Sequence, residues 1–327
     1  MKKENFWFGK NVLITGGNGF VASNLCLELF KKGANVVITL RHHDPLIILE
    51  LIDKSIKDKP DIEFSDLSDI EDVRKICDRH QIDTIFHLAA SAIVSNAAVS
   101  PVSTLKNNIN TTINILEVAR INKIPRVIVA SSDKAYGDHS YPNDREKIPY
   151  REGYALRGLD IYSTSKVCTD MICQAYSLQY SLPVLITRCC NIYGPGDMNF
   201  TRLIPRTIMR LLLKKQPVIN EGNKTVLREY CYIADVVNAY MFLAENVENY
   251  YKKHIPSKGK DVYGWSSFNI GAYKDNELIH PDKLPNIKNV DGMIRLICES
   301  LNVPCNPKII PKPKNFIEIP DQYNDST

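Results

Sequence analysis

The sequence predicts an α/β protein: a doubly wound parallel sheet with a smaller, irregular α/β domain beside it. Three observations carry this. Short β-rich runs alternate with longer helical patterns through the first half of the chain, a glycine-rich turn joins the first strand to the first helix, and after about residue 190 the alternation breaks into proline- and glycine-punctuated pieces. With 327 residues, 44% hydrophobic and 24% charged, the chain has enough apolar material for a substantial core.

The expected strands are Asn11 to Thr15, Asn35 to Leu40, Asp61 to Phe64, Thr84 to His87, Arg126 to Ala130 and Pro183 to Thr187. Helical patterns lie between them at 20–32, 69–80, 100–122 and 161–181. A β-α-β-α order of this kind gives a sheet whose ligands bind beyond the carboxyl ends of the strands, so function is expected just after each strand. Further on, helices are expected near 201–214 and 234–247 and a polar loop around 251–264. Pro304, Pro307, Pro311, Pro313 and Pro320 predict a tail that hugs the surface or frays.

A net charge of +4, with Lys and Arg scattered among Asp and Glu, offers no block of charge for nucleic acid or an anionic membrane, and neither is expected as a partner. Met1 to Gly9 has no apolar stretch resembling a signal peptide, and no apolar run reaches about 18 residues. The protein is therefore expected in the cytoplasm. The nine cysteines are odd in number, sit mostly inside apolar segments, and form neither a CxxC pair nor a Cys/His cluster. Reduced core thiols and no metal are expected.

The segment from Val12 to Ala22 is a strand, a turn and a helix start. Gly16 permits the tight turn, Gly19 lets backbone approach a pyrophosphate, and Ala22 lets helix and strand pack closely. Asn18, Phe20 and Val21 complete the turn and the helix N-terminus, whose N–H groups suit an anion. Dinucleotide binding is the expected task.

An acidic side chain for the ribose of NAD is expected about 20 residues on, at the end of the second strand. Arg41 stands there instead, and a guanidinium offers paired donors to a 2′-phosphate, favouring NADP over NAD; a solvated surface arginine is the plainer reading. Asp66 and Leu67, after the third strand, are candidates to flank the adenine, although an Asp in this place also serves as a cap. Leu88, Ala89 and Ala90 end the fourth strand with residues that let a cofactor cross the sheet edge.

Tyr162 and Lys166 stand four residues apart on a helical pattern and so share a face. A cation near a phenol favours the phenolate, which makes Tyr162 a candidate base; taken alone, the pair also fits a helix surface. Ser132, just after the fifth strand, is placed to hydrogen-bond a substrate hydroxyl that Tyr162 deprotonates, so that hydride can leave the same carbon.

Together, the elements GGNGFVA, HLAA, Asn108, SSDKAYG, YSTSK, Arg188 with NIYGPG, and Arg228-Glu229-Tyr230 ahead of Ile233-Ala234-Asp235-Val236 resemble the extended short-chain dehydrogenase/reductases that act on nucleotide sugars. The resemblance runs over nearly the whole chain, in the right order. It implies a Rossmann domain over 1–188 with a returning helix near 234–247, and a mainly substrate-binding domain over 189–327.

It also implies that Asn108 and Lys166 contact the cofactor and that Asn191 and Arg228 hold the substrate diphosphate. A homodimer through helices 100–122 and 161–181 is implied too. Arg228 beside Glu229 also fits a structural pair.

Asp133-Lys134 after Ser132 resembles the CDP-glucose 4,6-dehydratases, in a family whose 4,6-dehydratases usually carry Asp-Glu there. The implied reaction is C4 oxidation, loss of water across C5 and C6 with Asp133 as acid, and hydride return to C6. Lys134 is either the C5 base or an electrostatic stabiliser of the enolate. Arg228-Glu229-Tyr230-Cys231-Tyr232 and Thr111 depart from the CDP-glucose pattern and leave the nucleotide open. A C4 epimerase needs only Ser132, Tyr162 and Lys166; a non-catalytic nucleotide sensor or scaffold is the alternative from another class.

Overall fold

The computed structural model describes residues 5–42, 48, 60–139, 148–254, 265–271, 287–312 and 321–326. The first four expected strands form at the expected bounds: β1 Asn11–Thr15, β2 Asn35–Leu40, β3 Asp61–Phe64 and β4 Thr84–His87. β5 is Val127–Ala130 and β6 is Val184–Cys189. Pro183 was expected to open β6, but it has no N–H to give to a ladder.

The expected helices are α1 Phe20–Lys31 and α2 Ile70–Arg79, then α4 Pro101–Ile121 and α5 Ile161–Tyr180, with a short α3 Val94–Val99 before α4. Beyond residue 190 come β7 Asn191–Tyr193, α6 Leu203–Leu212, β8 Val218–Asn220, β9 Leu227–Tyr232 and α7 Ile233–His254. Last are β10 Ser267–Ile270, β11 Ile287–Asn289, α8 Val290–Ser300 and β12 Lys308–Ile310. Residues 251–254 of the polar loop expected around 251–264 are helical instead, because α7 continues to His254; 255–264 lie outside the described residues.

Seven strands form one parallel sheet in the order β10-β6-β5-β4-β1-β2-β3. Strand alternation divides the core into two faces. Val12, Ile14, Ile38, Phe86 and Leu185 meet α1 and α7, whereas Leu13, Val37, Ile85, Val129 and Ile186 meet α2, α4 and α5. Each fully buried aliphatic side chain contributes about 1.5–3 kcal/mol, so this double layer is a rigid frame. From β1 the chain builds outward to β2 and β3, then returns through α2 to β4 on the other side of β1. That reversal opens a crevice beyond Thr15 and His87, which are register partners.

The tail corrects an expectation. Pro304 and Pro311 are exposed, as a surface-hugging tail requires, and Pro313 and Pro320 lie outside the described residues. Residues 321–326, however, enter the protein: Gln322 and Asn324 are 1% and 0% exposed. Bridges Arg228↔Gln322 and Tyr150↔Asn324 hold them, with Asp325 N–H donating to the Tyr150 carbonyl at 2.8 Å. Backbone hydrogen bonding to β9 and Tyr150, together with Tyr323 packed beside Ile287, keeps this polar segment inside.

All nine cysteines are free thiols, and seven are buried, as expected of core residues. Among the described residues no cluster of His, Cys, Asp and Glu could hold a metal, and no helix is long and apolar enough to cross a membrane.

Candidate active site

At the β1–α1 turn, Gly16 has φ +72°, and a Cβ there would sit 3.0 Å from the Ala89 Cα, so the turn and the end of β4 are in contact. A Cβ on Gly17 would run into Ile38. Gly19 takes the N-cap position of α1 with no side-chain cap, and no acidic residue occupies the first turn. The first N–H groups of α1 are thus without a capping side chain, and Phe20 and Val21 line the adjoining cleft. An uncapped, small-residue helix start at the switch point fits a pyrophosphate.

Thr15 locks the crevice. Its hydroxyl oxygen accepts from the N–H groups of Leu88 and Ala89, each at 3.0 Å, and lies 2.9 Å from His87 Nδ1. His87 Nε2 lies 3.1 Å from the Thr112 hydroxyl. Burial lowers the His87 pKa to about 3, with Lys166 adding to the shift, so the ring is a neutral strut. Leu88 and Ala90 line the cleft.

The other residues named for the cofactor lie around this crevice in different settings. Arg41 is exposed at the end of β2, bonds the Asn107 side chain and stands close enough to Asp66 to help hold that carboxyl below its usual range. The main cause there is the Ser68 N–H, donating to Asp66 at 3.0 Å in a tight turn. The α2 cap is Asp69 rather than Asp66. Leu67 is buried in the core. Asn108 is a buried tie: it accepts from Ser91 N–H at 2.7 Å and donates to the Ser165 hydroxyl at 2.9 Å, fastening the loop after β4 to α5.

α5 is capped by Asp160, whose carboxylate accepts from Ser163 N–H at 2.9 Å and from its hydroxyl at 2.6 Å. This fixes the first turn, and Tyr162 and Lys166 both face the cleft. Lys166 Nζ donates to the Ala130 carbonyl at 2.7 Å, not to the phenol. Burial lowers its pKa to about 8.

Tyr162 is a correction. Burial pushes its phenol up to about 12, and the Ser132 hydroxyl beside it offsets only part of that rise. The spacing put the two residues on one face, but desolvation outweighs the expected help from Lys166.

Ser132 follows β5 and caps the short 3₁₀ helix Asp133–Tyr136, accepting from Lys134 N–H at 3.3 Å. Its hydroxyl donates to Asp133 Oδ1 at 3.1 Å, and Lys134 Nζ lies 3.8 Å from the same oxygen. Asp133 is 1% exposed, yet its Oδ2 has no hydrogen-bond partner among the described residues. Such a group is costly to keep unless a water or a ligand completes it.

Ser132, Asp133, Lys134, Tyr162, Lys166, Asn191 and Arg228 line one cleft of about 710 Å³, within the size range of small-ligand sites. Asn191 donates to the Glu229 carbonyl at 3.0 Å, and Arg228 to the Leu227 carbonyl at 2.8 Å. Glu229 is buried beneath, accepting from Asn324 N–H at 3.0 Å.

Several lining residues were not named from the sequence: Arg202, Arg206, Asn220 and Gln322. Arg206 is partly buried, which lowers its pKa, and its Nε has no partner among the described residues. Its place after Pro205 on an amphipathic helix gave no signal, since an arginine there reads as solvated surface.

The model of the NAD dependent epimerase/dehydratase family matches residues 12–257. The dTDP-D-glucose 4,6-dehydratase of Dictyostelium discoideum is 32% identical over 73% of this chain, a match that spans 56% of that relative, about half its length. The dTDP-glucose 4,6-dehydratase of Shigella flexneri is 28% identical over 94% of this chain and 80% of its own. Among solved structures, UDP-glucose 4-epimerase of Thermotoga maritima superposes with a TM-score of 0.77 at 22% identity, covering 97% of this chain and 90% of that one. At that identity the likeness is one of fold.

Proposed function

This chain belongs to the NAD dependent epimerase/dehydratase family, and from that premise we propose that it is a nucleotide-sugar 4,6-dehydratase. It converts an NDP-hexose to the NDP-4-keto-6-deoxyhexose. The observation that carries the reading is the buried Asp133, with Oδ2 unpartnered, in one cleft with Ser132, Tyr162 and Lys166. A C4 epimerase has no use for that carboxylate. The dehydratase names of the two relatives point the same way.

A bound nicotinamide dinucleotide supplies the hydride acceptor for C4 and the hydride donor for C6, and its oxidised ring carries positive charge. Ser132 and Tyr162 hold the C4 hydroxyl, and Tyr162 takes its proton once a cation beside it offsets the effect of burial. The resulting ketone acidifies the C5 proton. Lys134, paired with Asp133, acts as an electrostatic stabiliser of the enolate rather than as the base. Asp133 Oδ2 takes the C5 proton and returns it to the departing C6 hydroxyl, so that one water leaves; once C6 has its hydride, C5 takes a proton from solvent, to which Tyr162 yields the one it took, and both side chains end as they began. Asn191 and Arg228 hold the diphosphate, with Arg228 as the charged donor.

For the cofactor we favour NADP, because Arg41 closes β2 where an acidic residue would suit NAD. The NAD reading draws on the Asn107 bond and the nearby Asp66, which already engage Arg41. The turn Gly16, Asn18, Gly19, with Leu88, Ala89, Ala90 and Asn108 behind it, forms the dinucleotide side, and Asp66 and Leu67 approach the adenine. Residues 1–188 make up the dinucleotide half and 189–327 mainly the substrate half. A homodimer through α4 and α5 is supported by exposed Val102 and Ile121 on one helix and Met171 and Leu178 on the other, and light scattering tests it. Free thiols support a cytoplasmic enzyme, which cell fractionation tests.

The decisive experiment incubates the protein and cofactor with CDP-, UDP- and dTDP-glucose and GDP-mannose, without added reductant, and follows product mass. Loss of about 18 mass units from one of them is expected for dehydration with recycled hydride. Unchanged mass with a new sugar configuration replaces the dehydratase by the epimerase.

A further inference from the structure

Residue 322 lies beyond the stretch matched by the family model, yet it lines the cleft. Its main chain is fastened to β9: Gln322 N–H donates to the Leu227 carbonyl at 3.1 Å, and its carbonyl accepts from Glu229 N–H at 3.2 Å. Gln322 is the bridge partner of Arg228, and bridge partners project to the same side. Both therefore face the cleft.

The Gln322 side chain is buried, with Oε1 accepting from Lys134 Nζ at 3.4 Å. An ammonium only donates, so the carboxamide oxygen must face it and the nitrogen must point elsewhere. That nitrogen makes no hydrogen bond of good geometry among the described residues, although it lies near the Tyr150 hydroxyl, which itself donates to the Gly137 carbonyl at 2.7 Å. Lys134 also lies 3.8 Å from Asp133 Oδ1, and Asp133 Oδ2 is likewise buried and unpartnered. One cation thus orients an amide donor and a carboxylate acceptor, each with an unused position.

A hydroxyl matches that pair, because it can donate to Asp133 Oδ2 while accepting from Gln322 Nε2. A phosphate meets repulsion from the carboxylate, and an aliphatic group satisfies neither. We propose that Gln322 is a substrate contact, donating from Nε2 to a hydroxyl oxygen of the hexose and helping to select the sugar. The proposal rests on the reading of the cleft as a nucleotide-sugar site. The tail segment 321–326 is then part of the active site, positioned by β9.

Calorimetric titration of the protein with its cofactor separates the possibilities. The probes are CDP-, UDP- and dTDP-glucose and GDP-mannose, each beside its nucleoside diphosphate alone. Gln322→Leu is expected to weaken the sugar conjugate about tenfold, the loss of one hydrogen bond, while nucleoside diphosphate affinity stays within about twofold. Gln322→Ala, which adds no bulk, is expected to do the same. Unchanged conjugate affinity overturns the contact. Equal loss for both probes also overturns it, since the residue then acts only by docking the tail. If the wild type binds none of the conjugates, the nucleotide-sugar reading falls and the contact with it; if the wild type binds and the variants bind equally well, the contact alone falls.

Discussion

Asp170 with Arg188, and Asp133 with Lys134, each join a buried carboxylate to a cation, but the two pairs are completed very differently. Arg188 uses all five N–H donors: two go to Asp170 at 2.8 and 2.9 Å, and the others reach the Tyr136 hydroxyl, the Glu152 carbonyl and the Ser267 hydroxyl. Asp170 also accepts from Gln174 at 2.7 Å. Around Asp133 and Lys134, Asp133 Oδ2 and Gln322 Nε2 are left over. The two carboxylates are alike in burial, although Lys134 is more exposed than Arg188, so burial of the carboxylate does not separate structural from chemical groups. Completeness of hydrogen bonding does.

The largest test of that contrast is Tyr162→Phe, which removes the proposed base beside the incomplete pair. Turnover should fall about 10³-fold with the thermal midpoint nearly unmoved; a variant with full turnover would remove Tyr162 from the chemistry. On the complete pair the effect should be on folding. Asp170→Asn leaves Arg188 uncompensated and should cost about 3–5 kcal/mol in urea unfolding, whereas Asp133→Asn should change stability by less than about 1 kcal/mol. Equal losses at the two sites would erase the distinction.

His87 extends the comparison to a buried group kept neutral. Its pKa is lowered from 6.5 to about 3, so below 6.5 the unfolded chain binds a proton that the folded chain refuses. Stability should be present above pH 6.5 and fall by a few kcal/mol towards pH 3. His87→Gln should flatten part of that slope in unfolding curves, and an unchanged slope would assign the loss to other groups. The smallest effect is expected at exposed Arg41, where Arg41→Asp should move the NADP-to-NAD affinity ratio about tenfold towards NAD. No movement would make Arg41 a surface residue.

Much of the frame is legible in the sequence because it is local. The four strands β1 to β4 follow from short β-rich runs, and Gly16 and Gly19 mark the turn from within one strand-turn-helix unit. Ser132, Tyr162 and Lys166, which line one cleft, stand out in the sequence for the same reason, each by its neighbours along the chain. What escaped depends on distant pairing. Ser267–Ile270 is a four-residue run with no helix pattern of its own, made a strand by the edge of β6. Gln322 sits in a polar, proline-flanked tail that reads as surface, and only its pairing with β9 puts it in the cleft. The direction of the Tyr162 pKa failed for a related reason: helix spacing reports a shared face, while desolvation depends on everything packed around it.

The most direct measurement is a single turnover of Asp133→Asn, with enzyme and cofactor in excess over the NDP-hexose that the wild type dehydrates. The sugar should accumulate as the 4-keto hexose, about two mass units lighter than substrate, with reduced nicotinamide visible and no product about 18 units lighter. Release of the dehydrated sugar at the wild-type rate would contradict the role of Asp133 and, with it, the meaning given to its unpartnered oxygen.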